Sequence, residues 1–309
     1  ERKSSYQSIP FDFNGDGWMD LYIANDYSNQ TNDLFINNKG TEFIEQSAYY
    51  GLNHSKDDMG ITIGDYNNDG YFDFFISSIA ENALLQNNSN INFEDKARDL
   101  NVLNTGWAWG VNFSDFDLDR DEDLFVLNGY GLDNSFSNEN VYFENLFTQG
   151  ETKFVNSTNK VNLYANEISV AQAVFDYDND GDLDIFVTNN DKEAYFYENK
   201  VLDFVKPQID LHWLKVKLQG NSSNRDAIGA KVSVKTENGL LYRYMSGKGF
   251  LSQSLKPIHF GLGSDTKIIE LKVFWPSGIQ ETYNNLEVNS TILLKESEGY
   301  TYLPNAPAI

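Results

Sequence analysis

Short apolar runs recur along the chain at wide, regular intervals, and each is entered through a cluster of Asp and Asn. LYIAN from Leu21, FFISS from Phe74, LFVLN from Leu124 and IFVTN from Ile185 are rich in aliphatic, aromatic and β-branched residues. Runs this short, bounded by turn formers, predict strands rather than helices. A second run follows each of them: DLFINN at 33–38, ALLQNN at 83–88, VYFEN at 141–145 and AYFYEN at 194–199. A third, opened by Phe, occurs in three units: FIEQS from Phe43, FEDKA from Phe93 and FVNST from Phe154. Another strand, such as MGITIGD or SVAQAVFD, then leads into the next acidic cluster. Each unit therefore offers about four short strands and no amphipathic helix. Four-stranded units with a period near fifty are the signature of β-propeller blades. One blade cannot cover both of its own faces, so neighbours must stack around an axis. A sandwich of unrelated hairpins would not repeat three motifs in one order.

The acidic clusters are themselves one motif in four copies, starting 53, 50 and 61 residues apart. In the first, oxygen-bearing side chains stand at Asp12, Asn14, Asp16 and Asp20; in the second, at Asp65, Asn67, Asp69 and Asp73. The third has Asp115, Asp117, Asp119 and Asp123, and the fourth Asp176, Asp178, Asp180 and Asp184. These are positions 1, 3, 5 and 9 of a loop whose position 6 is Gly17, Gly70, Arg120 and Gly181 in turn. Alternate residues of a tight turn can aim their oxygens inward. A hard cation such as calcium takes six to eight oxygens, so a backbone carbonyl near position 7 and the Asp at position 9 would complete a cage. All sixteen side chains are therefore candidate Ca2+ ligands.

The EF-hand shares the opening of this loop but needs Glu at position 12 and flanking helices. Position 12 here is Ile23, Ile76, Val126 and Val187, each inside a predicted strand. Zinc favours Cys and His, and the chain has no Cys and three His. Ordinary turn chemistry also favours Asp, Asn and Gly, but not four copies in one phase. Arg120 at the Gly position predicts backbone strain in the third loop, and its guanidinium is expected to stand in for a cation or to point into solvent. The fourth loop, with Asp at all four positions and Gly181, is expected to be the tightest site.

Charge and composition narrow the partners. Among 309 residues, 46 Asp and Glu face 23 Lys and Arg, for a net charge of −23. A nucleic-acid partner would need a basic footprint and is excluded. With 40% hydrophobic and 15% aromatic residues the chain is not a disordered acidic tail. The lack of Cys excludes disulfides, thiolate metal sites and Cys nucleophiles. No run approaches the length of a membrane span. The first loop stands at the very start with no full strand set before it, which leads us to expect further blades upstream or closure by blades of another pattern.

From about residue 205 the pattern changes. Longer alternating strands appear, HWLKVKLQG, IGAKVSVKT, LLYRYMSG, IIELKVFW and TILLKE, separated by turns at NSSN, ENG, GSD and PSG. Such alternation predicts an antiparallel β-sandwich over 205–309, after propeller blades over 1–204.

The acidic loops, the strands that follow them and the N-x-L-F-x-N elements resemble FG-GAP/VCBS repeats, found in bacterial surface proteins and integrin-α-type propellers. RDAIGAKVSV from Arg225, GKGFLSQSLKPIHFGLG from Gly247 and VFWPSG from Val273 closely resemble the ASPIC/UnbV domain. That domain follows FG-GAP-type repeats in the cartilage acidic protein family. The resemblance implies an exported, calcium-binding protein, extracellular or at a bacterial cell surface. It implies no catalytic chemistry and supplies no active-site residues.

The leading expectation is a binding or adhesion module for a protein or a glycan, with Trp107 and Trp109 of NTGWAWGVN as candidate contact residues. Packing between blades is their competing role. A calcium-stabilised structural component of a surface or uptake complex is the alternative. A polysaccharide-degrading enzyme is a third reading, weakened because metal spacing already accounts for the paired carboxylates. No Ser/His/Asp set or phosphate-cradling Gly loop stands out. His259, in the apolar IHFGLG, reads as a packed or rim residue.

Overall fold

The computed structural model describes residues 2–130, 137–163, 165–205, 209–247, 249–253 and 257–304. The chain is all-β and begins with four sheets, each a simple antiparallel meander. The first holds β1 (Ser4–Phe11), β2 (Asp20–Asp26), β3 (Asp33–Asn37) and β4 (Phe43–Glu45). The second holds β5 (Asp58–Gly64), β6 (Asp73–Ser78), β7 (Ala83–Asn88) and β8 (Asn92–Asp95). The third holds β9 (Ala108–Ser114), β10 (Asp123–Asn128), β11 (Val141–Asn145) and β12 (Phe154–Asn156). The fourth has three strands: β13 (Ser169–Phe175), β14 (Asp184–Asn189) and β15 (Tyr195–Tyr197). Two helical turns, α1 (Ser47–Tyr50) and α2 (Val201–Val205), interrupt the strands.

The apolar clusters lie between consecutive sheets. Tyr22, Ala24 and Leu34 of the first meet Ile61, Phe74 and Ile76 of the second. Phe75 and Leu84 turn to the other face and meet Val111, Leu124 and Val126 of the third. Phe125 and Leu127 in turn meet Val174, Ile185 and Val187 of the fourth. Successive side chains of a strand point to opposite faces, so a sheet covered on both sides reads as an unbroken apolar run. That is why FFISS and LFVLN show no alternation. Among the described residues, the first and fourth sheets pack against a neighbouring sheet on one face only. Leu21, Ile23 and Phe35 are half-buried on the open face of the first, and Phe186 and Phe196 are exposed on that of the fourth.

The first Asn of each N-x-L-F-x-N element joins neighbouring sheets. Asn32 Oδ1 accepts the Asn25 N–H, and its amide donates to Asp58 of β5 at 2.7 Å. Asn82 accepts the Ser78 N–H and donates to Thr105, at the approach to β9. Asn140 accepts the Asn128 N–H and donates to Ser169 of β13. The fourth unit has no counterpart.

The C-terminal part contains two further four-stranded sheets over one core. One is ordered β19 (Ile258–Gly263), β16 (His212–Gln219), β22 (Ser290–Lys295), β23 (Gly299–Leu303). The other is ordered β18 (Gly239–Tyr244), β17 (Lys231–Thr236), β20 (Ile268–Phe274), β21 (Gln280–Leu286). Leu214, Val216, Phe260 and Ile292 from the first pack with Val232, Leu241, Leu271 and Val273 from the second. This is the expected sandwich with one correction: it is not wholly antiparallel, since β16 and β22 run parallel from Leu214↔Ser290 to Gln219↔Lys295. Parallel pairs need a crossover, and here β17 to β21 supply it.

Candidate metal loops and the face that covers them

The four acidic loops share one backbone scaffold. The Asp at position 1 accepts the N–H of position 6: Asp12 from Gly17 at 3.0 Å, Asp65 from Gly70 at 3.1 Å, Asp115 from Arg120 at 3.0 Å and Asp176 from Gly181 at 3.1 Å. Position 6 has positive φ in every copy, 87°, 88°, 89° and 111° in order. Arg120 thus carries the strain expected of a non-glycine residue in this region. Its guanidinium neither enters the loop nor points into solvent. It crosses to the sandwich, with Nη1 donating to the Asn238 carbonyl at 3.0 Å and Nε 3.6 Å from Asp265.

Position 9 closes the loop before any cation is considered. Asp20 accepts N–H groups from Phe13 and Asn37, Asp123 from Phe116 and Asn145, and Asp184 from Tyr177 and Asn199. Asp73 accepts from Asn87. The partners Asn37, Asn87, Asn145 and Asn199 are the last residue of each N-x-L-F-x-N element. Their side chains donate back to the loops: Asn37 to the Met19 carbonyl, Asn87 to Phe72 and Asn145 to Glu122. Asn145 also reaches Tyr66 O of the second loop, and Asn199 reaches Phe116 O of the third, so each ties its own sheet to the one before. The sequence displayed these residues in a repeated motif, but their role as loop clamps emerges only from the structure.

The carboxylates crowd one another. Oxygens of Asp115, Asp117 and Asp119, and those of Asp176, Asp178 and Asp184, lie within 4.8 Å of each other. Burial first, and neighbouring carboxylates after it, push Asp117 up to about 7 and Asp65 to about 7, and drive Asp115 well above the usual carboxylate range. Asp20 and Asp184 rise to about 6, again through burial, partly offset by the backbone N–H groups they accept. Two buried carboxylates outside the expected set, Asp121 and Asp182 at position 7, are each pushed to about 8. Asp115 Oδ1, Asp121 Oδ1, Asp176 Oδ1 and Asp182 Oδ1 are buried without a hydrogen-bond partner. Buried, unpartnered oxygens converging on like charges are costly unless a cation or a proton enters. The donor set is all oxygen, which suits a hard divalent ion and not zinc or copper.

The sandwich packs against the loops from one side and brings basic side chains near each, while residues 14–18 of the first loop, Asp69 of the second and Asp180 of the fourth stay exposed. Tyr244 donates to the Pro10 carbonyl at 2.8 Å beside the first loop, where the Lys231 ammonium lies 5.2 Å from the Phe11 ring centre. Arg243 Nε is 3.3 Å from Glu122, whose other oxygen accepts the Asp65 N–H, so one ion pair spans the second and third loops. The Gly263 N–H donates to Leu118 O of the third loop. At the fourth, Lys215 Nζ is 2.5 Å from Asp176 Oδ2, and His259 Nε2 is 2.8 Å from the Gly181 carbonyl. His259, which is buried, is therefore a packed residue of this interface. Trp213 packs so closely that a Cβ on Gly181 would stand 1.8 Å from its Nε1. None of these partners was legible in the sequence, because each contact joins distant segments.

A row of aromatic rings lies elsewhere. Tyr130 stacks on Trp107 at 3.7 Å and 6°, and Trp107 on Trp109 at 6.3 Å. Phe250 from the sandwich follows at 6.1 Å, then Tyr6 at 6.3 Å. Trp107, Trp109 and Tyr130 are half-buried and Tyr6 is 46% exposed. A cavity of about 90 Å³ between the sheets and the sandwich is lined by Asp115, Glu122, Arg243 and His259. Among the described residues no helix is long and apolar enough to cross a membrane.

Residues 12–76 match the family model of the FG-GAP-like repeat, and residues 220–301 match that of ASPIC and UnbV. No curated protein matches the chain. Similar solved structures include an Agrocybe aegerita lectin that recognises non-reducing terminal N-acetylglucosamine, with 16% identity over 65% of this chain and a TM-score of 0.34. They also include the Vibrio cholerae biofilm matrix protein Bap1, with 10% identity over 98% of this chain and a TM-score of 0.34. The chain spans 54% and 61% of the lengths of those two structures. With both sequence matches in the order that the motifs implied, the chain joins an FG-GAP-like repeat region to an ASPIC and UnbV domain.

Proposed function

We propose that this is an exported, calcium-stabilised binding module whose four N-terminal sheets are propeller-type blades, and that its aromatic row takes a glycan or protein ligand at the cell surface. The row is the observation that carries the reading. Five rings follow one another from Tyr130, past β10, through Trp107 and Trp109 at the start of β9 to Phe250, and the row ends on exposed Tyr6 of β1. Flat rings with polar handles suit the apolar faces of sugars and protein side chains alike. Calcium in the acidic loops would neutralise their crowded carboxylates and hold consecutive sheets in register. The sandwich packs against the loops, so they are assigned to supporting the module and recognition to the aromatic row. Binding, not catalysis, is the role assigned: the cavity is small, and its carboxylates belong to the loops and their ion pairs.

Titration of the calcium-loaded chain with a panel of oligosaccharides, followed by tryptophan fluorescence, tests this. A binding glycan should perturb the emission, and Tyr6→Ala should weaken it by up to about tenfold, the scale of one ring contact. Binding that Tyr6→Ala and Trp109→Ala both leave unchanged would remove the row from recognition.

A further inference from the structure

The third and fourth loops carry the same kind of carboxylate triad, yet they are neutralised differently. Among the described residues, no Lys, Arg or His forms an ion pair with Asp115, Asp117 or Asp119. Arg120 goes to Asp265, and Arg243 goes to Glu122. At the fourth loop an ammonium is already present. Lys215 Nζ stands 2.5 Å from Asp176 Oδ2 and 3.4 Å from Asn179 Oδ1, and the side chains of Lys215 and Asp176 are only 5% and 2% exposed. It is placed firmly. The same ammonium lies 4.8 Å from the Trp213 ring centre, Trp213 packs on Gly181, and His259 bonds the Gly181 carbonyl.

We propose that Lys215 is the built-in cation of the fourth loop, so that this loop docks the C-terminal sandwich where the others take calcium, and that metal in this loop and the seated Lys215 exclude one another. The inference rests on the reading that the acidic loops bind calcium. An ammonium held against Oδ2 of Asp176 supplies positive charge at one member of the triad that Asp176 forms with Asp178 and Asp184. Two cations at this spacing would repel strongly in a water-poor site. The loop whose composition promises the tightest metal site is thus the one that dispenses with metal. Burying an ion pair contributes little net stability against a well-packed apolar alternative, but removing one partner is costly, which makes such a pair a device for fixing one docking geometry.

The test is the number of calcium ions bound by the full chain, measured by equilibrium dialysis or calorimetry. Lys215→Met should bind one more ion than wild type, and adding Asp178→Asn to Lys215→Met should return the number to the wild-type value. Equal numbers in wild type and Lys215→Met would overturn the assignment. Should Lys215→Met not fold, amine labelling of the wild-type chain read by mass spectrometry decides the matter. Lys215 should remain protected, beside readily labelled Lys39, at calcium concentrations that saturate every tight site. Labelling of Lys215 that rises in step with tight calcium binding would overturn it. A wild-type chain that binds no calcium at all would sink the underlying reading as well, whereas bound calcium with unequal support from the variants separates the two.

Discussion

The acidic loops and Glu296 are two ways of burying carboxylates in one chain. In the third loop Asp115, Asp117 and Asp119 converge on each other, and burial with mutual repulsion raises Asp117 to about 7. Glu296, at the end of β22, meets donors only. Its Oε2 accepts the consecutive N–H groups of Asn221, Ser222 and Ser223 at 2.7, 2.8 and 2.7 Å, and its Oε1 accepts the Ser223 and Ser277 hydroxyls. Burial acts to raise it as well, but these hydrogen bonds prevail and hold it at about 2. The lesson is that burial alone does not decide whether a carboxylate needs a counter-ion. What the surrounding backbone offers decides it: N–H groups in one case, other carboxylates in the other.

Removing calcium should separate the two regions most sharply. A metal that binds only the folded state contributes about 2.7 kcal/mol per site at a hundredfold excess over its Kd, so excess chelator should lower Tm by several degrees or more. Amide exchange should quicken at Asp16, Gly17 and Gly70 and stay slow at Ser222 and Ser223. Equal loss in both regions, or a melting curve indifferent to chelator, would erase the contrast.

Next in size is Glu296→Ala, which strands three backbone donors. It should cost on the order of 2–3 kcal/mol by denaturant titration, equally with and without calcium. The pH dependence has a defined sign. A carboxylate depressed from 4.5 to about 2 stabilises fully above 4.5, and that contribution fades as pH falls toward 2. The gap between wild type and Glu296→Ala should narrow across that window.

Asn145→Ala should cost roughly 1–3 kcal/mol, since it removes bonds to Tyr66 O and Glu122 O in a buried setting. Asn37→Ala, which removes the bond to Met19 O from a half-buried position, should cost less. Smallest is Arg120→Gly. Relief of backbone strain and loss of the contacts to Asp265 and Asn238 oppose each other, so the net change should lie within about 1 kcal/mol. A larger loss would make Arg120 an interface residue first and a loop residue second.

The sequence displayed some of this plainly. Each strand of the repeat core that is covered on both faces was readable, because FFISS and LFVLN leave no polar face to confuse the pattern. Two edge strands of the sandwich were not: QETYNNL of β21 and GYTYL of β23 are largely polar or exposed, and neither was expected as a strand, whereas the edge strand β18 was readable in LLYRYMSG. The parallel pairing of β16 with β22 was missed for a different reason, since alternation fixes which face is buried but not the direction of the neighbour. Within the loops, spacing marked the oxygens. It could not show that position 9 accepts backbone N–H groups, or that Lys215 reaches Asp176 across 39 residues.

The parallel pair also sets an order of events during synthesis. Leu214 pairs with Ser290, so the sheet that carries Lys215 and His259 is complete only after nearly the whole described chain has been made. Contacts this distant close late and slowly, whereas the meanders of the repeats pair locally. The repeats should therefore fold first and pass through an interval with their acidic rim bare. A calcium-rich compartment would shield the rim during that interval; without calcium, the nascent repeats would depend on the arrival of the final strands.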